Sequence, residues 1–346
     1  PSLLTIPFIL LSGKLTEHIN NIFLLQTGLI IFVLSGLFYI LSTEMWQLIA
    51  VSALLGIGSG LIVPLSTGLI SRYFTGKYRT RQFGLSSAIT NITLVSATLL
   101  TGYLAGIDWH LPFVVYFFPI VAFVFSFYLK KDPVSAAPVR TNNPGKINVK
   151  HLIGLMAFYG LVTYLVVIIS FNLPFLMKEY RFDAETSGII ISMFYSAIVV
   201  PGFFLNKILS TFKYLTKCMC LLCIAAGLLL VLISSNVWIL GTGAVFMGFG
   251  YGVIQPLIYD QTSQVATPEK TTLALAFVMS MNYLAILLCP TIIDTFQSLF
   301  HIHSQQFAFS FNLSITLLAI IWSYAARHTF LFNDNLENDK SSLEEL

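Results

Sequence analysis

Long apolar segments separated by short polar stretches cover almost the whole chain. Such a pattern predicts a series of membrane-spanning helices, each needing about 20 apolar residues. Ten windows of that kind lie near residues 22–42, 46–71, 83–105, 111–129, 151–173, 187–206, 216–235, 237–258, 271–293 and 307–326. Residues 1–12 are also apolar, but they are too few to cross about 30 Å of hydrocarbon at 1.5 Å per residue. We therefore expect eleven spans, the first of them partial.

The first half of this pattern repeats in the second half. A run with the order Gly-x-Gly-x-Gly-x-x-x-Pro occupies residues 56–64 and recurs 192 residues later, at residues 248–256. Two further pairs keep nearly the same separation, namely Pro7 with Pro201 and Asn91 with Asn282. Repeats of this length exclude short-period solenoids and are typical of transporters that bind their substrate between two halves.

The duplication also predicts what precedes the given sequence. The span at 151–173 has no counterpart in the first half, and the sequence begins at Pro1 without an initiator Met. We expect one full span and part of the next to be missing. The complete protein would then have twelve spans in two pseudo-symmetric bundles of six.

Composition and charge place the chain in a membrane and orient it. It is 56% hydrophobic and 10% charged, with a mean hydropathy of +0.84, far from the composition of soluble domains. Lys and Arg concentrate in alternate loops, and the positive-inside rule makes those loops cytoplasmic. The C-terminus then lies in the cytoplasm, and the protein is a multi-pass protein of the cell membrane. The net charge of +3 reflects this topology and does not indicate nucleic-acid binding.

The polar stretches divide the chain into four regions. We expect an N-terminal bundle at 1–129, a cytoplasmic linker at 130–150, a C-terminal bundle at 151–328 and a cytoplasmic tail at 329–346. The four cysteines have no nearby His or carboxylate to complete a metal site, and we expect neither a metal nor a cofactor.

The loop at residues 13–21 carries a family resemblance. It resembles the signature of the major facilitator superfamily between helices two and three, which reads Gly, any, Leu, any, Asp, Arg, any, Gly, Arg. Gly13, Leu15 and the acidic Glu17 match that signature in type, whereas Asn20 replaces the Gly. Asn tolerates the left-handed backbone that Gly would supply. The resemblance covers helices two to twelve of the family fold, and it implies an all-α membrane transporter.

Several residues are candidates for gating. Glu17 is expected to meet the start of the helix near 271, with Thr267 as its N-cap and Pro268 at its first position. Arg79 resembles a family pattern of Arg followed five residues later by Gly. Glycines four apart allow helices to approach closely, and prolines invite a bend. The gating set is therefore Gly13, Glu17, Arg79, Gly56, Gly60, Pro64, Gly248, Gly252 and Pro256.

Uncharged polar residues deep in the spans are the candidate substrate site. Tyr251, Gln255 and Tyr259 share one helical face at spacing i, i+4 and i+8. Asn91 and Asn282 lie near the midplane, where symmetry-related amides would face a shared cavity; interhelical hydrogen bonding is the alternative interpretation. Further candidates are Tyr164, and more weakly Tyr159, Thr163 and Tyr195.

Residue types that the spans lack restrict the functions that the chain can have. No ionisable residue lies deep within a span, so a proton site must be Asp260, lie in the missing helix, or not exist. No hydrolase or phosphate-loop motif supports an enzyme. We expect a monomeric secondary transporter, surrounded by lipid, that exports a small neutral or amphipathic solute. Proton coupling is implied by the resemblance only. The alternatives are an uptake symporter or facilitator, and a non-transporting sensor or scaffold on the same fold.

Overall fold

The structure is a computed structural model that describes residues 2–105, 107–129, 147–233, 235–302 and 304–325. These residues form helices and no β-strand, which confirms the predicted all-α fold. The predicted linker lies almost entirely outside the described residues, and the predicted tail lies wholly outside them. The helices are α1 (Ser2–Leu15), α2 (Asn21–Leu41), α3 (Met45–Tyr73), α4 (Gly76–Ala105), α5 (Pro119–Ser126), α6 (Val149–Glu179), α7 (Ala184–Phe212), α8 (Thr216–Ile233), α9 (Val237–Gln264), α10 (Thr271–Leu299) and α11 (Gln306–Ala325), with short 3₁₀ helices at Leu111–Phe117 and Lys213–Leu215.

Most of the predicted spans are long apolar helices. Eight segments of the described chain are long and apolar enough to cross a membrane, and one of them, residues 186–233, contains most of α7 and all of α8. Ser2–Leu15 and Leu111–Ser126 are shorter. The exact number of crossings stays a prediction.

The segment at 111–129 is not the single continuous helix that its hydropathy predicts. It forms a 3₁₀ helix at Leu111–Phe117, a turn, and then the short helix α5. Prolines stand at residues 112 and 119, each in the first turn of one of the two pieces. Proline has no N–H to donate and its ring crowds the carbonyl of the residue four positions earlier, which favours a break in the helix before Pro119.

Two local expectations about helix ends were wrong. Asn20 has φ −60° and ψ 126°, so it is not left-handed; its side chain instead caps α2 by accepting a hydrogen bond from the Ile22 N–H at 2.8 Å. Helix α10 begins at Thr271 with Lys270 at the N-cap position. Thr267 lies in the preceding turn, where its carbonyl accepts from the Lys270 N–H at 2.9 Å. Asn20 is extended because an N-cap residue has a β-region backbone, whereas Thr267 and Pro268 belong to a separate turn before α10 and not to its first turn.

The glycine run of α9 allows close contact with two different neighbours. A Cβ at Gly252 would lie 2.7 Å from the carbonyl oxygen of Ile198 on α7, and one at Gly248 would collide with α7 as well. A Cβ at Gly250 would lie 2.6 Å from the carbonyl oxygen of Cys220 on α8. Helix α9 therefore packs backbone against backbone on both sides.

The matching glycine run of α3 allows close contact with the equivalent helices in the first half. A Cβ at Gly60 would lie 2.7 Å from the Cβ of Phe8 on α1, and one at Gly58 would lie 2.9 Å from the Phe32 backbone nitrogen on α2. Gly56, the first glycine of the run, is buried as well. The duplication seen in the sequence is thus a duplication of packing. The middle glycine of each run has a role that the i, i+4 argument missed.

The two halves contact each other mainly at one end of the molecule. This end carries basic residues in the loops and helix termini, and we call it the basic end: Lys14, Arg72, Lys77, Arg79 and Lys270. Near it, α4 lies on α7 and α9, and α1 lies on α10. A Cβ at Gly84 on α4 would lie 2.5 Å from the Gly202 carbonyl oxygen on α7, and one at Gly13 would lie 2.6 Å from the Cβ of Ala276 on α10.

Replacing Gly252 with Leu is expected to lower the thermal stability of the purified protein. The added side chain has no space between α9 and α7, and overpacking of this kind costs about 1–3 kcal/mol. Gly188→Leu is the matched control, because a Cβ there would meet nothing within 4 Å. Unfolding midpoints measured in detergent should fall for Gly252→Leu alone. Equal midpoints for the two variants would contradict the close-packing argument.

Candidate functional site

One face of α9 carries the polar side chains that the sequence analysis placed there. Tyr251, Gln255 and Tyr259 point towards α6, where they meet Tyr159 and Thr163. Candidates that the sequence analysis gave on two different helices therefore form one arrangement. Tyr159 and Thr163, ranked below the others from sequence, are at its centre.

Tyr159 joins the two tyrosines of α9 through its hydroxyl. Its Oη lies 2.9 Å from Tyr259 Oη and 3.4 Å from Tyr251 Oη. The Gln255 amide donates to the hydroxyls of Tyr159 at 3.3 Å and Tyr259 at 3.4 Å. Tyr159 is fully buried, and a buried hydroxyl is costly unless it has such partners.

Asn282 on α10 closes the other side of this arrangement. Its Oδ1 accepts hydrogen bonds from Thr163 Oγ1 at 2.9 Å and from Tyr251 Oη at 3.2 Å. Its amide nitrogen has no hydrogen-bond partner among the described residues. We call these uncharged residues, contributed by α6, α9 and α10, the polar cluster: Tyr159, Thr163, Tyr251, Gln255, Tyr259 and Asn282.

A serine of the first half connects the polar cluster to α4. Ser87 Oγ donates to Gln255 Oε1 at 3.1 Å, so the polar cluster contacts both halves of the molecule. Sequence reasoning missed Ser87. The available signal was its position one turn before Asn91 on the same face of α4.

Two predicted site residues do not join the polar cluster. The Asn91 amide donates to the Ser87 carbonyl oxygen at 2.8 Å, within its own helix, and the structure does not pair it with Asn282. The Tyr164 hydroxyl is buried without a hydrogen-bond partner in the described part of the chain. Tyr195, a weaker candidate, pairs with Ser170 on α6 at 3.1 Å.

A buried ion pair joins the halves at the basic end. Arg79 Nε on α4 donates to Asp260 Oδ1 on α9 at 2.8 Å, with the two side chains 14% and 6% exposed. The second carboxylate oxygen accepts from Thr80 Oγ1 at 3.0 Å and Gln264 Nε2 at 3.1 Å. The buried charge of Asp260 is therefore both paired and fully hydrogen-bonded, the condition under which such a pair is tolerated.

A second ion pair lies at the same end, between α1 and α10. Lys270 Nζ is 3.4 Å from Glu17 Oε1, and each side chain is more than a quarter exposed. The predicted meeting of Glu17 with the start of α10 is thus found, but its observed partner is the side chain of the residue that precedes the helix. An exposed pair contributes little stability, about 0–1 kcal/mol, so Arg79–Asp260 is the stronger link between the halves.

The described residues contain no group of three or more His, Cys, Asp or Glu side chains arranged to hold a metal ion. The polar cluster can donate and accept hydrogen bonds, but it offers neither a charge nor a nucleophile with a base. This arrangement is suited to binding an uncharged solute.

A family model described as Major Facilitator Superfamily matches residues 1–290. The chain belongs to the major facilitator superfamily. It is accordingly a multi-pass membrane transporter and not an enzyme, as the resemblance of the loop at 13–21 implied.

Curated relatives of this superfamily member include drug-resistance proteins. It is 24% identical over 277 residues to the quinolone resistance protein NorA of Staphylococcus aureus, covering 73% of this chain and 68% of that protein. It is 28% identical over 106 residues to the multidrug transporter protein MdtP of Bacillus subtilis, which covers 30% of this chain and 20% of that protein.

Solved structures share the fold at low sequence identity. The human organic anion transporter TETRAN superposes with a TM-score of 0.79 at 17% identity, covering 93% of this chain and 81% of that one. The proton:xylose symporter XylE superposes with a TM-score of 0.74 at 12% identity, covering 94% and 84%. These likenesses establish the architecture alone.

Removing either partner of the Arg79–Asp260 pair is expected to destabilise this transporter strongly. Asp260→Asn or Arg79→Gln leaves an uncompensated buried group, at a cost of about 3 kcal/mol, whereas the double variant should lose less than the sum of the two. Unfolding midpoints of the four proteins in detergent measure this coupling.

Asp108→Asn is the matched control for that cycle. Asp108 Oδ1 lies 3.2 Å from His110 Nδ1, but its side chain is 54% exposed. The His110 backbone N–H and the nearby ring lower the pKa of Asp108, yet loss of so exposed a pair should leave the midpoint nearly unchanged. Additive losses at Arg79 and Asp260 would contradict the proposed coupling.

Proposed function

We propose that this protein exports a small neutral or amphipathic organic solute by alternating access, in exchange for protons. The observation that carries the proposal is the polar cluster, which is uncharged, partly to fully buried in the second half, and hydrogen-bonded through Gln255 to Ser87 in the first. The Asn282 amide nitrogen, which bonds to none of the described residues, gives a solute a donor to bind. Relatives named for quinolone resistance and multidrug transport support an organic substrate and the outward direction.

Gating follows from the contacts at the basic end. The positive-inside rule favours a cytoplasmic location for that end, so the conformation described here is closed towards the cytoplasm. Opening it requires separation of Arg79 from Asp260, of Glu17 from Lys270, and of the α4–α7 contact at Gly84. The same orientation places the C-terminus in the cytoplasm of a protein in the cell membrane.

Asp260 is the coupling site in this proposal. It is the only buried carboxylate among the described residues, and its charge holds Arg79 in place. A proton bound at Asp260 removes that charge and weakens the tie between α4 and α9. Proton binding would therefore favour the conformation open to the cytoplasm, and proton release would restore the ion pair and the closed basic end.

The contacts invoked in this proposal come from one chain. The polar cluster, the ion pair and the contacts between halves all lie within a single copy, which supports a monomer surrounded by membrane lipid.

Transport in proteoliposomes tests the function directly. The full chain is reconstituted, and the movement of labelled quinolones and neutral amphiphiles is followed with and without an imposed proton gradient. We expect gradient-driven accumulation in the compartment from which protons leave, as proton antiport requires. Movement indifferent to the gradient would indicate a facilitator and contradict coupling. Accumulation with the gradient in the same direction as protons would indicate uptake by symport.

Two further outcomes complete that test. Asp260→Asn should carry solute without responding to the gradient, and an unchanged response would remove Asp260 from the coupling step. Failure of every compound to move, with folded protein present, would contradict the proposed substrate class and favour a sensor or scaffold.

Asn282→Ala is expected to weaken solute binding while leaving membrane abundance unchanged. Loss of one hydrogen bond to the solute raises the dissociation constant about two-fold to ten-fold, and Gln255→Ala should act in the same direction. The matched control is Asn91→Ala, because the Asn91 amide bonds only within α4. Binding of a transported compound to purified protein measures the effect. Equal weakening by Asn91→Ala and Asn282→Ala would contradict the site assignment.

A further inference from the structure

Four exposed cations lie together where α4 and α7 meet at the basic end. Helix α4 carries Lys77 and Arg81 one turn apart, while Lys207 lies near the end of α7 and Lys213 in the short 3₁₀ helix that follows. The Asn206 amide donates to the Lys77 carbonyl oxygen at 3.2 Å, so the two pairs of cations are neighbours across the two halves. We call these residues the basic patch: Lys77, Arg81, Lys207 and Lys213.

No carboxylate of the described chain neutralises the basic patch. The acidic residues described at this end are Glu17, Asp260 and Glu269. Glu17 and Glu269 lie beside the contact of α1 with α10, and Asp260 is paired with Arg79. The side chains of the basic patch make no hydrogen bond or ion pair with another described residue. Four like charges so close together repel one another and attract an anionic partner.

The helix predicted to precede the given sequence would lie on another side of α4. Its counterpart in the second half is α6, where a Cβ at Gly160 would lie 3.4 Å from Met281 of α10. In the repeat, Met281 corresponds to Thr90 of α4, at the separation that relates the two asparagines. Thr90 is about two and a half turns from Arg81 and hence on the opposite side of the helix. The basic patch would therefore stay exposed beside such a helix.

The chain after α11 carries the opposite charge. Residues 329–346, which we call the acidic tail, have five carboxylate side chains and one lysine: Asp334, Glu337, Asp339, Glu344, Glu345 and Lys340. This excess of negative charge is complementary to the four cations of the basic patch, and complementary charges steer two surfaces together. A segment of the same chain also has a high effective concentration near its site, which favours it over a free anion.

Helix α11 ends within reach of the basic patch. Ser323 Oγ, in the last turn of α11, lies 3.5 Å from Cys218 Sγ on α8. Lys213 precedes Cys218 by five residues, or about 8–10 Å at 1.5–2.0 Å per residue. Nine residues lead from Ala325, at the end of α11, to Asp334, and they can span up to about 30 Å. The first carboxylates of the acidic tail can therefore reach α7 and the neighbouring end of α4.

We propose that the acidic tail docks on the basic patch and holds α4 against α7 at the basic end. The patch takes its cations from both halves, so the docked tail spans their junction. Separation of the halves would move Lys77 and Arg81 away from Lys207 and Lys213, and the tail would lose half of its partners. Docking therefore favours the closed basic end. Exposed ion pairs are individually weak and are screened by salt, which makes the contact reversible. Only the effect of docking on transport rests on the proposed function.

Cross-linking without a spacer tests docking on the full chain in nanodiscs of zwitterionic phosphatidylcholine. A carbodiimide joins a carboxylate to a lysine amine only when the two groups touch, and mass spectrometry assigns the linked peptides. We expect links from residues 334–339 to Lys77 on α4 and to Lys207 and Lys213 beside it. Salt at about 1 M, where the Debye length is about 3 Å, should remove most of these links.

A charge swap distinguishes docking at the patch from general attraction. Lys207→Glu with Lys213→Glu should lower the yield of tail links to Lys77 at least about three-fold, because attractive contacts become repulsive. Adding Asp334→Lys and Glu337→Lys should restore contact, now as links from the lysines of the tail to the glutamates beside α4.

Lys14→Glu with Lys178→Glu is the matched control for the charge reversal. It changes the net charge equally at two exposed positions outside the basic patch, and it should leave the tail links unchanged.

Several outcomes would overturn the proposal. Tail links that survive high salt or the reversal at Lys207 and Lys213 would show that the patch is not the docking site, and links to α7 alone would reject the bridge between the halves. Loss of the links when the nanodiscs contain phosphatidylglycerol would assign the patch to anionic lipid. Tail links without solute transport in proteoliposomes would reject the proposed export and leave docking. Transport without tail links would reject docking alone.

Discussion

The buried carboxylate of Asp260 is the constraint on which the arrangement of the two halves depends. A charge removed from water is tolerated in a protein interior only when it is paired and hydrogen-bonded. Helix α9 supplies one of the partners, Gln264, but the cationic partner Arg79 and the donor Thr80 both come from α4 in the other half. The carboxylate of Asp260 therefore keeps its cationic partner and all its hydrogen bonds only while the two halves are in contact at the basic end.

The glycine contacts give this pairing a rigid base within each half. Backbone-to-backbone approach at Gly250 and Gly252 fixes α9 against α8 and α7, so Asp260 is carried on an element that moves with its neighbours. Membrane helices gain no hydrophobic driving force from burial among lipid tails, and small residues that allow close packing replace it. Between the halves, by contrast, close glycine contacts such as Gly84–Gly202 are combined with polar links. Such an interface can separate without breaking the packing of either half.

Features that repeat along the chain or recur with a helical period could be predicted from the sequence. Contacts that depend on how one helix is rotated against another could not. The duplicated glycine run and the shared face of Tyr251, Gln255 and Tyr259 follow from position along the chain, and the structure contains both. Asn91 and Asn282 are equivalent in the repeat, but α4 packs mainly on α7 and α9, whereas α10 packs mainly on α6 and α1. Equivalent positions need not meet, and Ser87, one turn earlier on α4, makes the contact instead. Which of two residues on α4 makes the contact depends on the rotation of the helix about its axis, and a pattern in one sequence does not determine that rotation.

Both principal polar links between the halves are made by the same short part of α9. Gln255, which accepts from Ser87, precedes Asp260, which pairs with Arg79, by five residues, or about 7.5 Å along the helix. Both partners are also on one helix, α4, so a movement of α4 relative to α9 that breaks one link strains the other. Tyr259, adjacent to Asp260, bonds to Tyr159 at the centre of the polar cluster. A change of charge at Asp260 therefore acts on the same helix segment that would hold the solute. This geometry makes exchange of a proton for a solute possible in the proposed mechanism without a long pathway between the two sites.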